Sequence, residues 1–201
     1  MKKTNNKGFS LVELIIVIAI MAILAGAIAP ALIKYIDKSR KSNDVSSAKT
    51  IKTAIETALG TESVYETLTN SGTTTATVVA VIPGKQTASA DAGTGTAGVK
   101  ISGCTKADGG AELLDCAKAI GSNIGEKTPK IKYKKKIDTN GKKADGEGGF
   151  EPKQFTAFIT PGGSVYVCVG TDSASLTGIS SGNPSFSGCA QLAPEVCEGY
   201  Q

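Results

Sequence analysis

The chain contains no histidine and no tryptophan among its 201 residues, and aromatics make up only 5% of it. The missing histidine removes the commonest general base and the commonest transition-metal ligand, so catalytic and metal-centre readings have little to build on. The five cysteines, Cys104, Cys116, Cys168, Cys189 and Cys197, form no CxxC pair, which excludes the usual zinc spacings. No nucleophile elbow, phosphate-binding loop or carboxylate dyad occurs. The expectation is a non-enzyme with no cofactor and no metal. A formal net charge of +4 is too small by itself to indicate nucleic-acid binding.

Charge is missing altogether from residues 14–33, which are dominated by Ile, Ala, Leu and Val. As a helix this run rises about 30 Å, the thickness of a bilayer's hydrocarbon core. The remainder is polar and rich in Gly, Thr and Ser, so the chain reads as an N-terminal membrane segment followed by a water-facing domain. In an exported, oxidising setting the cysteines are expected to form two bridges with one thiol left over; the alternative is reduced cysteines acting as small core hydrophobes.

Lys2, Lys3 and Lys7 precede the apolar run, a layout shared by secretory signals, simple anchors and buried core helices. Pro30 sits badly with signal cleavage near Ala25, Ala27 or Ala29. Glu13 sits badly with a simple anchor, because an acid at the centre of a membrane helix costs about 2.5–3.5 kcal/mol and usually has a partner.

The stretch Lys7-Gly8-Phe9-Ser10-Leu11-Val12-Glu13 and the run behind it resemble the leader and start of type IV pilins and their relatives. The resemblance covers roughly residues 1–60. It implies cleavage after Gly8 by a dedicated prepilin peptidase and N-methylation of the new N-terminus, Phe9. It also implies a homopolymer whose greasy helices bundle in the filament core, with Glu13 facing the Phe9 amine of a neighbouring subunit. A buried pair of that kind adds little net stability, but a wrong register leaves each charge unpaired, so Phe9 and Glu13 would fix register. Gly26 and Pro30 mark the region where related filaments lose helicity, letting the rod stretch. The partners implied are membrane lipid before assembly, then further copies of the chain, handled by an assembly platform and its ATPase. The location implied is the cytoplasmic membrane, single-pass, and then an extracellular filament.

The expected organisation is a leader at 1–8, a hydrophobic half-helix at 9–36, an amphipathic half-helix at 37–60 and a head at 61–201. Val45, Ala48, Ile51, Ile55, Ala58 and Leu59 recur at helical spacing, with Lys41, Asp44, Lys49, Lys52 and Glu56 largely elsewhere. One helix is therefore expected from about Leu11 to Leu59, ended by Gly60, with Pro30 removing one backbone hydrogen bond. Residues 61–98 read as a loop with at most one strand or short helix, whose Thr73, Thr74, Thr75 and Thr77 are candidate sugar acceptors. Residues 112–123 read as a short helix bearing Cys116, with Cys104 its preferred bridging partner.

Strands are expected at 130–137, 154–160 and 164–170, the last two joined by a Pro161-Gly162-Gly163 turn. Laid on the amphipathic half-helix they give an α+β, pilin-like head. The tail, 171–201, has little to hold it beyond Cys189 or Cys197 bridged to Cys168. Lys130, Lys132, Lys134, Lys135 and Lys136, with Lys142 and Lys143, read chiefly as protection of an edge strand; nucleic acid is the weaker alternative partner. Asp138, Asn140, Asp145 and Glu147 fall short of a calcium loop because two lysines interrupt them. Two further identities fit the same N-terminus: a pseudopilin of a secretion or competence system, and an anchored binding module that never polymerises.

Overall fold

The computed structural model describes residues 8–69, 75–85, 98–102, 111–125, 127–144, 148–179 and 184–201. The chain divides into two compact units, Met1–Ser39 and Arg40–Gln201. A single 49-residue helix, α1 (Leu11–Leu59), contributes to both and stays helical across Pro30.

Within the first unit every side chain of residues 9–36 is exposed, the uncharged apolar run 14–33 among them. Within the second unit the helix turns one face inward: Asp44, Ala48, Ile51, Ala54, Ile55, Ala58 and Leu59 are buried at spacings of three and four. The helix ends where Gly60 N–H reaches back to the carbonyls of Glu56 and Thr57. A Cβ at Gly60 would lie 3.1 Å from the Thr57 carbonyl oxygen, so the smallest residue suits the position.

The inward face packs on one five-stranded antiparallel sheet, in the order β3 (Gly98–Ser102), β1 (Thr77–Ile82), β5 (Gln154–Ile159), β6 (Val165–Thr177), β7 (Ser185–Ala193). Alternation sets the two faces. Val79, Val81, Phe155, Ala157, Ile159, Val165, Val167 and Val169 join the helix core, together with Ala190 and Leu192. Phe158, Cys168 and Cys189 point to the other face, beneath Tyr166, Leu176 and Phe186. Phe186, near the far end of the β6–β7 hairpin, lies 6.2 Å from the Phe158 ring and 5.9 Å from that of Tyr166. The hairpin therefore folds back over the sheet, and the register shift between Gly170 and Ser175 is where it bends. Two short helices, α2 (Glu62–Leu68) and α3 (Ala111–Ile124), and the two-residue strands β2 (Gly84–Lys85) and β4 (Lys127–Thr128), complete the head.

The architecture is the α+β, pilin-like one expected, but four details differ. Residues 130–137 form no strand: among the described residues only Ile137 makes bridges, to Lys143 and Phe150. The ladder's place beside β5 is taken by β1, from the segment read as a loop with one element at most, and that segment holds α2 as well. The tail is not held by cysteines alone; it supplies β7 and a 3-10 turn at Glu198–Tyr200. Asp44, expected on the solvent side, is fully buried.

Candidate functional site

Gly8, Phe9 and Ser10 lie outside the helix and are exposed, Phe9 at 86%. An accessible backbone outside regular structure is what a peptidase needs at the bond it cuts, and the Gly8-Phe9 bond has both properties. The helix then begins with a capping arrangement: Ser10 precedes its first residue and Glu13 stands three positions on. The Ser10 N–H donates to Glu13 Oε2 at 3.0 Å, and Leu14 N–H donates to the Ser10 carbonyl at 3.2 Å. Ser-x-x-Glu is the residue pattern of a capping box, in which an N3 carboxylate satisfies a free N–H at the helix start. This local role of Glu13 was readable in the sequence from the spacing to Ser10.

Behind Glu13, Leu14, Ile15, Ile16, Ile18, Ile20 and Met21 are all more than half exposed, and Ile23 reaches 73%. This is the one helix among the described residues long and apolar enough to cross a membrane, by length and composition. So large an apolar surface is not left in water; it takes lipid or other apolar helices as its partner. A Cβ at Gly26 would meet nothing within 4 Å, so no packing among the described residues demands glycine there.

The head brings together residues the sequence did not connect. The buried Asp44 carboxylate accepts the N–H of Lys132 at 2.7 Å and that of Tyr133 at 2.9 Å. Burial pushes its pKa up, against the lowering effect of these two donors and of the Lys132 charge. One turn earlier, Lys41 Nζ donates to the Gly199 carbonyl at 2.5 Å and sits 4.6 Å over the Tyr133 ring and 5.2 Å over that of Tyr200. Gly199 N–H in turn donates to the Asn140 carbonyl at 2.8 Å. A Cβ on Gly199 would fall 2.1 Å from the Gly141 carbonyl group, so the chain's last turn docks by backbone contact. Helix α1, the lysine-rich segment and the C-terminus thus meet at one place.

Cys168 and Cys189 lie side by side on the sheet's outer face, their side chains in hydrogen-bonding contact. Burial and that neighbour together push the Cys168 thiol well up. Gly170 makes the approach possible, since a Cβ there would lie 2.4 Å from Cys189 Cβ. Cys197 is half-buried and raised to about 11 by burial. Cys116 is buried in the α3 core, and Cys168, Cys189 and Cys197 are free thiols. Cys104, the expected partner of Cys116, lies outside the described residues, as do Asp145 and Glu147 of the considered calcium loop. Asp138 there receives the Lys142 N–H, and no group of three metal-ligating side chains occurs among the described residues. Thr77 is fully buried in β1, which removes it as a sugar acceptor; Thr73 and Thr74 lie outside the described residues.

The prokaryotic N-terminal methylation motif matches residues 3–29. The type IV major fimbrial protein FimA of Dichelobacter nodosus is 46% identical over 57 residues, which is 28% of this chain and 36% of that protein. Fimbrial protein Q of Moraxella bovis is 49% identical over 54 residues, 27% of this chain and 34% of that protein. The chain therefore spans about a third of the length of these curated relatives. No solved structure matches. Motif, relatives and helix agree: this chain carries the prokaryotic N-terminal methylation motif and is similar in part of its length to type IV fimbrial proteins.

Proposed function

We propose that the protein is a structural subunit of a type IV pilus. It is held in the cytoplasmic membrane by residues 9–36, cut after Gly8 by a prepilin peptidase, methylated at Phe9 and polymerised through α1 into a surface filament by an assembly platform and ATPase. The observation that carries this reading is the exposed apolar length of α1 with one carboxylate, Glu13, at its tip. Lipid accounts for the apolar surface before assembly, and the same surface on other copies accounts for it afterwards.

Glu13 is then a group with two successive duties. Within the chain it satisfies the Ser10 N–H; in the filament it meets the amine of Phe9 on a neighbour. A desolvated carboxylate without a cation is expensive, so packings that miss this partner are rejected. Gly26 and Pro30 serve the filament rather than the fold, since nothing among the described residues packs on Gly26 and Pro30 breaks the hydrogen-bond ladder in the same stretch. In the oxidising exterior Cys168 would bridge to Cys189 and tie β7 to β6, a reading that their neighbouring positions on the sheet support.

The test is electron microscopy of sheared surface material with mass spectrometry of the subunit's N-terminus. Filaments whose subunits begin at Phe9 and carry one added methyl group are expected. Subunits that keep Met1, or surface material without filaments, reject the reading.

A further inference from the structure

The lysine-rich segment loses its simplest explanation in the fold. Residues 130–136 hold five lysines, all exposed, yet they form no strand, so there is no ladder edge for them to guard. The segment is nonetheless fixed: Ile131 and Tyr133 are buried, and Asp44 holds the N–H groups of Lys132 and Tyr133. The lysines are therefore displayed on a pinned backbone beside the Asp44 turn of α1. Tyr133, the one aromatic among them, is 3% exposed and offers no ring for a base to stack on.

The opposite charge gathers at the other end of the same helix. Immediately beyond α1, Glu62 and Glu66 of α2 and Glu112 and Asp115 of α3 are all exposed. Three of them line a cleft of about 430 Å³ between α2 and α3, and Lys118 contacts Asp115 at 3.3 Å. From Asp44 to Leu59 the helix rises about 22 Å. The head thus carries a basic patch at one level of α1 and an acidic patch at another, too far apart to neutralise each other.

We propose that these patches are the two halves of a contact between head domains of successive subunits, the lysines of 130–136 on one copy seating against the α2–α3 acids of the next. This rests on the filament reading above and names a second contact beyond the helical core. Repeated head-to-tail along an axis, unlike patches at two levels generate an open helical array. Opposite charge supplies orientation, and like charge brought together in a wrong docking is penalised.

Treating intact filaments with a zero-length carbodiimide coupler tests this without altering the chain. The coupler joins a lysine only to a carboxylate in direct contact, and within one chain the two patches are separated by roughly 22 Å of helix. Peptides joining a lysine of 130–136 to Glu62, Glu66, Glu112 or Asp115 must therefore come from two subunits, and are expected. Filaments that couple elsewhere but yield no such pair overturn the contact and leave the filament reading standing. Absence of filaments overturns both. As a second arm, the variants K132E/K134E/K136E and E62K/E66K/E112K should each lower filament yield about tenfold, and their combination should restore it to within about threefold. Wild-type yield from either reversal alone overturns the proposal.

Discussion

The carboxylate of Glu13 accepts the backbone N–H of Ser10 at 3.0 Å, so the acid that opens the apolar helix also caps it. The two duties separate by substitution. Glu13→Gln keeps a hydrogen-bond acceptor and loses the charge; Glu13→Ala loses both. If register depends on charge, both variants fall at least about tenfold in filament yield, because an unpaired buried ammonium costs several kcal/mol. If only the cap mattered, Gln would assemble normally. Counting filaments in sheared fractions of the two variants decides between these.

Asp44 is the buried acid on which the lysine segment hangs. Asp44→Ala leaves the N–H groups of Lys132 and Tyr133 without their acceptor, at an expected cost of about 2–4 kcal/mol. Asp44→Asn keeps one acceptor oxygen and is expected to cost less. Thermal or urea unfolding of the two variants beside wild type measures the difference; equal stability for Ala and wild type would show that these bonds contribute nothing.

The same residue sets an acid-side pH dependence. Burial raises its folded pKa above the ordinary aspartate value of 3.8, so the folded state binds the proton more tightly than the unfolded chain. The resulting stabilisation is present in full below about pH 3.8 and fades as pH rises through the folded value. Relative to Asp44→Asn, wild type should therefore gain stability on acidification, and a gap between the two that ignores pH contradicts the burial argument.

On the alkaline side the sign follows from three raised acids. Cys168 and Tyr200 are pushed up, chiefly by burial, and Cys197 is raised to about 11. The unfolded chain ionises first, so the stability these groups contribute in neutral form declines once pH passes about 9. Unfolding midpoints of the reduced protein between pH 8 and 11 should fall with slope, and Cys197→Ser should flatten part of that fall.

Cys168 and Cys189 are expected to resist alkylation in filaments until a reductant is added, whereas Cys197 reacts without one. Cys168→Ser should then lower stability by about 3 kcal/mol, the usual worth of a bridge closing a loop of this kind. Alkylation of both residues without reductant would show that the pair stays reduced.

The last turn offers a steric test. Gly199→Ala places a methyl group on the Gly141 carbonyl, so the C-terminus should release from the Lys41 ammonium and become sensitive to carboxypeptidase. Retained protection would show that the 138–141 turn yields to make room.

Legibility divides along the range of the interactions. Residues 154–170 were readable because two alternating runs flank a Pro-Gly-Gly turn, and the hairpin's partners lie within a few positions. Residues 130–134 alternate just as well, and their burial does too, with Ile131 and Tyr133 inside and lysines outside. Which of Ile131, Tyr133 and their lysine neighbours face inward was legible; the hydrogen-bond partner was not, because it proved to be a helix carboxylate 88 and 89 positions away instead of a neighbouring strand. Thr77 likewise looked like a loop hydroxyl until pairing with Ile159 drew it into the sheet.

By itself the sequence determined the helix, its apolar and amphipathic halves, and the N-terminal motif with Gly8, Phe9 and Glu13. Each of these rests on local spacing, on a run of residues long enough for its hydropathy to decide, or on both. Only the tertiary structure decided that β1 completes the sheet, that Asp44 is buried, that Cys168 meets Cys189, and that the lysines and acids occupy different levels of α1. Those outcomes join residues far apart in the chain, where competing pairings are settled by the packing of the whole core and leave no periodic trace in the residues themselves.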